Sequence, residues 1–170
     1  SRAIAVVGSR KMSPRGKRLT AMFVRELVNS NFTIVSGLAR GVDTIAHKTA
    51  LERGGRTIAV LGSGLDIIYP PENKELAEEI VKKGALVSPY PLGTKPYAKN
   101  FLARNRIIAE LSKAVLVIEG KRRSGTLSTA SWAANAGIDV FAIPGSEATD
   151  WLIGEGACIA RTPKAILDSI

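Results

Sequence analysis

Short, continuous apolar runs alternate along this chain with segments whose apolar residues recur every three to four positions. Ala3-Ile4-Ala5-Val6-Val7, Phe32-Thr33-Ile34-Val35-Ser36, Thr57-Ile58-Ala59-Val60-Leu61, Ala114-Val115-Leu116-Val117-Ile118 and Asp139-Val140-Phe141-Ala142-Ile143 are of the first kind. Runs with little polar alternation read as strands buried on both faces. The segment from 14 to about 30 places Leu19, Met22, Phe23 and Leu27 at helical spacing behind Pro14. Further helices are expected over 42–53, closed by Gly54-Gly55, and over 73–83, with Asn73 as the N-cap. Others are expected over 99–112 and 126–135, near 150–153 and over 163–169, with short strands at 85–88 and 157–160. Pro89, Pro91, Gly93 and Pro96 make 89–96 a rigid, non-helical stretch.

Strand–helix alternation of this kind predicts one α/β domain over 1–170: a mostly parallel sheet with helices on both faces. No repeat or low-complexity linker interrupts it. In such sheets the ligand lies beyond the carboxyl ends of the strands, where the strand order reverses. Gly8, Gly37, Gly62 and Gly120 each fall just after a strand, where backbone either turns sharply or approaches a ligand.

Charge sharpens this picture. The chain carries a net charge of +9, unevenly spread: residues 1–56 hold +8 and residues 99–123 hold +5, while the remaining segments are slightly acidic. If the fold unites the two basic segments, they make a polyanion site. No apolar run approaches the roughly 18 residues of a membrane span, and no membrane role is expected. The start lacks both an initiator Met and a signal-peptide layout, which fits a processed or excised piece. The single cysteine, Cys158, has no partner for an internal disulfide, fits a reducing cytoplasm and reads as a small buried apolar residue.

Four clusters carry the chemistry. Gly8-Ser9-Arg10 links a strand to a helix, so loop N–H groups and a bidentate arginine can hold a phosphate. It is not the GxGxxG dinucleotide fingerprint, and no acid ends the second strand to hold a ribose. Ser36-Gly37-Leu38-Ala39-Arg40-Gly41-Val42-Asp43 opens a helix; its hydroxyl and N–H groups suit phosphate oxygens, while Asp43 either caps the helix or pins the loop. His47, one helical turn after Asp43, reads as a structural helix-face residue rather than half of a catalytic dyad. Phe101, Arg104, Asn105 and Arg106 combine an aromatic ring for base stacking with cations for phosphates. Lys121, Arg122, Arg123 and Ser124 lead into another helix N-terminus. No paired catalytic carboxylates can be argued, and one His with one Cys makes a protein-only metal site improbable.

Taken in order, these segments resemble the DprA/Smf family of bacterial DNA-processing proteins. The match runs through Val6–Arg10, Ser36–His47, Thr57–Asp66, Tyr69-Pro70, Arg104–Ala109, Arg123–Thr126 and Pro144-Gly145. The resemblance implies an extended Rossmann-like fold, sequence-independent binding of single-stranded DNA and loading of a RecA-type recombinase during recombination and natural transformation. It also implies a homodimer, cytoplasmic location, no cofactor and no established catalysis. The implied DNA pocket is Gly8, Ser9 and Arg10, the loop Ser36, Gly37, Arg40, Gly41 and Asp43, and Phe101, Arg104, Asn105 and Arg106. Lys121, Arg122, Arg123 and Ser124 extend it. Departures are Ser88-Pro89-Tyr90-Pro91 where the family often has Ser-Glu-Tyr-Pro, Phe101-Leu102 where it has Phe-Pro, and a short stretch after Gly145. Its accessory helical and winged-helix domains have no counterpart in the 170 residues. Two alternatives stand beside this reading. One is a nucleotide sensor or a nucleotide hydrolase like the LOG-type phosphoribohydrolases, although their Pro-Gly-Gly-x-Gly-Thr-x-x-Glu loop is not present at Arg122–Thr129. The other is an interaction module without DNA binding.

Overall fold

The computed structural model describes residues 2–170. Among the described residues, seven strands form one parallel sheet: β1 (Ala3–Val7), β2 (Thr33–Ser36), β3 (Thr57–Val60), β4 (Ala85–Val87), β5 (Ala114–Val117), β6 (Asp139–Ala142) and β7 (Cys158–Ile159). The helices are α1 (Pro14–Asn29), α2 (Val42–Glu52), α3 (Lys74–Lys83), α4 (Ala98–Glu110), α5 (Gly125–Asn135), α6 (Glu147–Gly154) and α7 (Pro163–Leu167). The strand order is β4-β3-β2-β1-β5-β6-β7. The chain therefore steps outward from β1 to β4, then crosses back to lay β5 beside β1. That reversal opens a crevice at the carboxyl ends of β1 and β5.

The pleat of β1 sorts its apolar run onto two cores. Ile4 and Val6 pack with Phe23 and Leu27 of α1 and with Ala46 and Ala50 of α2. Ala3, Ala5 and Val7 point the other way, onto Ile108 and Ala109 of α4 and Ala130 and Ala133 of α5. The buried residues of this second core are mainly Ala and Val. Each fully buried Ile, Leu or Phe contributes about 1.5–3 kcal/mol of transfer free energy. A third cluster, Leu38, Ala59 and Leu61 with Leu76, Ala77 and Ile80, seats α3.

The expected parallel sheet is borne out, with every described pairing parallel. Three expectations are corrected. α6 begins at Glu147 rather than near Asp150, because Ser146 and Thr149 form a reciprocal capping box. Cys158 is exposed, since β7 pairs on one side only and lies at the sheet edge. Asn73 does not cap α3 with its side chain. It ends a short 3-10 turn, Pro71–Asn73, and its amide donates to Leu38 O and Thr44 Oγ1, both at 2.9 Å.

Candidate nucleic-acid interface

At the β1/β5 crevice lies a cleft of about 700 Å³. Its walls come from the β1–α1 loop, the β5–α5 loop and the inward face of α4. It gathers Gly8, Ser9, Arg10 and Lys11 with Lys121, Arg123 and Ser124, over an apolar floor that includes Val7, Phe101 and Ile108. The two basic segments of the sequence thus meet at one place. Among the described residues, none of Arg10, Lys11, Lys121 and Arg123 is ion-paired.

The two helix starts that face this region differ. At α1, Ser13 caps the helix by accepting from Gly16 N at 2.9 Å. The Glu119 carboxylate accepts from Ser13 N at 2.6 Å and from Ser13 Oγ at 2.7 Å. This carboxylate already occupies the anion position at α1, so the expectation that loop amides there await a phosphate is corrected. The Ser9 amide, likewise, donates to Glu119 O at 3.0 Å. At α5, by contrast, Ser124 makes no side-chain cap; its hydroxyl turns back to Lys121 O at 2.7 Å. The first turn of α5, with Gly125 and Thr126, opens into the cleft between Lys121 and Arg123. An uncapped helix start flanked by cations favours an anion.

The Ser36–Asp43 loop is braced from inside. The Ser36 hydroxyl, expected to hold a phosphate oxygen, is buried and donates to Val6 O at 2.7 Å. Asp43 accepts from Gly37 N at 3.0 Å and Ala39 N at 3.3 Å, so it pins the loop and takes up the amides that would have met a phosphate. Burial pushes the Asp43 carboxyl up from its ordinary value, against the pull of the Arg104 charge. Leu38, at φ 59, adopts a left-handed conformation rare for a side-chain-bearing residue. Its N–H donates to His47 Nε2 at 3.3 Å, and its carbonyl accepts from Asn73.

These bonds assign the His47 tautomer. With Nε2 accepting, Nδ1–H donates to Thr57 Oγ1 at 2.7 Å, which donates on to Ile34 O at 2.9 Å. Burial, helped by the Arg104 charge, lowers the imidazole to about 3. A folded value below the unfolded one, roughly 6.5, gives stability that is full above that value and lost as pH falls toward about 3. The expected slope in that window is up to about 1.4 kcal/mol per pH unit. Asp43, raised in the fold, acts in the opposite sense. Urea melts at a series of pH values should show the acid-side fall, and His47→Gln should flatten it. An identical fall in the variant would remove His47 as its source.

Arg104 organises the cleft from beneath rather than touching solvent. It is 3% exposed. Its guanidinium donates to Gly37 O at 2.8 Å, to Val60 O at 2.6 Å and, through Nε, to Asn105 Oδ1 at 3.0 Å. Asn105 in turn donates to Gly125 O at 3.2 Å and so ties α4 to the start of α5. Burial pulls Arg104 down to about 10, which leaves it charged at neutral pH. The glycines after β2 and β3 accommodate α4 side chains. A Cβ at Gly37 would sit 2.6 Å from Arg104 Cζ, and one at Gly62 would sit 2.7 Å from Phe101 Cδ1. Their small size serves the protein's own arginine and phenylalanine, not the ligand approach expected.

Two guanidinium groups lie over the Phe101 ring, Arg10 at 5.1 Å and Arg104 at 5.3 Å from its centre. Three other expected cations, Arg106, Arg122 and Arg40, lie outside the cleft lining. Arg106 pairs with Glu110 at 2.6 Å and lies 5.6 Å from the Trp132 ring, on the outer side of α4. Arg122 stacks on Trp151 at 4.8 Å. Arg40 is paired with Glu72 on the surface. Gly41 holds φ 77 at the start of α2. Lys11, the neighbour of Arg10, joins the site although none of the clusters expected from the sequence included it. Asn73, expected as a helix cap, instead braces the Ser36–Asp43 loop.

A family model described as DNA recombination-mediator protein A matches residues 1–170. The chain belongs to this family. Among curated relatives, protein Smf of Synechocystis is 52% identical over 143 residues, covering 84% of this chain and 36% of that protein. Protein Smf of Escherichia coli is 48% identical, covering 98% and 46%. DNA processing protein DprA of Streptococcus pneumoniae is 45% identical, covering 96% and 60%. The chain therefore spans only about a third to three fifths of these relatives' length. The solved S. pneumoniae DprA superimposes with TM-score 0.90 at 42% identity, covering 99% of this chain and 61% of that one. A Helicobacter pylori DNA processing protein A, described for its single-stranded DNA binding mode, gives TM-score 0.91 at 32% identity, covering 98% and 79%. A molybdenum cofactor binding protein from Rippkaea orientalis, 18% identical with TM-score 0.71, shares the fold alone. The Rossmann-like architecture read from the sequence is thus that of the DprA members.

Proposed function

We propose that this chain binds single-stranded DNA without sequence preference and serves as the DNA-binding core of a recombination mediator. The observation that carries this reading is the cleft itself, where Arg10, Lys11, Lys121, Arg123 and the uncapped start of α5 surround the Phe101 ring. Cations and helix amides suit phosphates, while the ring suits a base of any identity. The H. pylori relative, described for single-stranded DNA binding, supports the same ligand. Binding rather than hydrolysis is favoured because Asp43 and His47 are committed to loop backbone. The reading extends to loading a RecA-type recombinase in natural transformation, to a cytoplasmic site of action and to a homodimer whose paired clefts lengthen the DNA track. Among the described residues, no helix is long and apolar enough to cross a membrane.

The test is a salt titration of oligothymidine binding, compared with duplex DNA of equal length. With about 4–6 phosphates neutralised, log K should fall against log salt with a slope near −3 to −4. An affinity independent of salt would overturn the proposal. So would release of free base from nucleoside monophosphates.

A further inference from the structure

Tyr69 lies in the loop between β3 and α3, next to the site but outside every cluster that the sequence singled out for binding. It is 37% exposed, while Pro70, the next residue, is buried and anchors its backbone. Its ring centre lies 5.6 Å from that of Phe101, with the planes tilted by 42°. Arg40 lies over the Tyr69 ring at 5.5 Å, as Arg10 lies over Phe101 at 5.1 Å. The arrangement is a shelf of two adjoining rings, with an exposed guanidinium over each and the buried Arg104 also against Phe101 at 5.3 Å.

We infer that Tyr69 is a second nucleobase-stacking position beside Phe101, and that the shelf takes two successive bases of one strand. The inference rests on the single-stranded DNA reading above. A guanidinium plane on an aromatic face makes the same kind of contact that a nucleobase makes. Each arginine therefore occupies a face that suits a base, and each is long enough to give up its ring for a neighbouring phosphate. Arg10 already lines the cleft. Arg40 is exposed, and its partner Glu72 is an exposed carboxylate, a solvated pair that a phosphate can replace. The 5.6 Å between ring centres exceeds the roughly 3.4 Å rise of a helically stacked strand. The two bases are then splayed apart, each on its own ring, which excludes a paired duplex.

The test uses the shortest oligothymidine that binds the full chain with undiminished affinity, with a single abasic site moved along it. In the wild type, abasic sites at two adjacent positions should each weaken binding at least about fivefold. Tyr69→Leu should bind the intact strand about fivefold more weakly and lose the sensitivity at one of the two positions. It should keep the wild-type salt slope, since no charge is removed. Tyr69→Phe should retain both sensitivities. A single sensitive position in the wild type overturns the inference, as does a Tyr69→Leu protein that keeps both sensitivities. Those outcomes leave single-stranded DNA binding standing. Failure of the wild type to bind any strand overturns the functional reading and this inference with it.

Discussion

Arg104→Ala is expected to lower the melting temperature by roughly 6–20 °C, and to abolish DNA binding through lost structure rather than through a lost phosphate contact. The guanidinium is buried and satisfies Gly37 O, Val60 O and Asn105 Oδ1 at once. Alanine leaves those acceptors without their donor and removes the positive charge that opposes the burial cost of Asp43. Breaking a buried, hydrogen-bonded charge network of this kind costs about 3–5 kcal/mol. For a chain of this size, each kcal/mol corresponds to about 2–4 °C. The Ser36–Asp43 loop should loosen first, because Gly37 rests on the guanidinium. Differential scanning calorimetry and amide exchange across residues 36–43 would measure both effects. A melting temperature within about 2 °C of wild type would show that the network contributes nothing net. Arg104 is consequently a poor probe of DNA contact, despite standing first in the Arg104-Asn105-Arg106 motif.

The second large effect separates contact from scaffold. Arg10→Ala combined with Arg123→Ala should weaken oligothymidine binding by about two orders of magnitude or more at low salt, taking about 1.5–3 kcal/mol for each charged hydrogen bond. The salt slope should become shallower by about 1.4, or 0.7 per phosphate contact. Both side chains are exposed at the cleft and neither is ion-paired among the described residues. The melting temperature should accordingly stay near wild type. The matched control is Arg106→Ala with Arg122→Ala, which removes the same charge from outside the cleft lining. If the control loses as much affinity and slope as the cleft pair, the strand does not run through the cleft, and the proposed path is wrong.

The contrast between those two pairs shows why the site was only partly legible. Phe101, Arg104, Asn105 and Ile108 follow helical spacing and share the inward face of α4. Arg106 is two positions on from Arg104, about 200° around the helix, and meets Glu110 and Trp132 instead. The motif reads as one cationic unit in text, yet a helix divides it between two surfaces. The β5–α5 loop makes the same division: Lys121 and Arg123 enter the cleft, and Arg122 turns to Trp151. Local sequence also could not foresee the brace on the Ser36–Asp43 loop. Asn73 reaches it from the turn before α3, and Arg104 from α4, across 35 and 67 residues.

What the sequence determined by itself is the architecture: apolar runs without alternation demand a sheet covered on both sides, and right-handed crossovers place the turns that follow the strands at one edge. That the two basic segments meet there follows from the strand order, which lays β5 beside β1. What only the tertiary structure decided is which groups remain available to a ligand. Ser36, Asp43, Arg104 and the amides of the Ser36–Asp43 loop, all plausible phosphate partners in text, are spent on one another or on neighbouring backbone. The physical reason is that buried polar groups must find partners, and those partners come from segments that only folding brings together. The groups left over, Arg10, Lys11, Lys121, Arg123 and the open start of α5, are the ones that face the cleft.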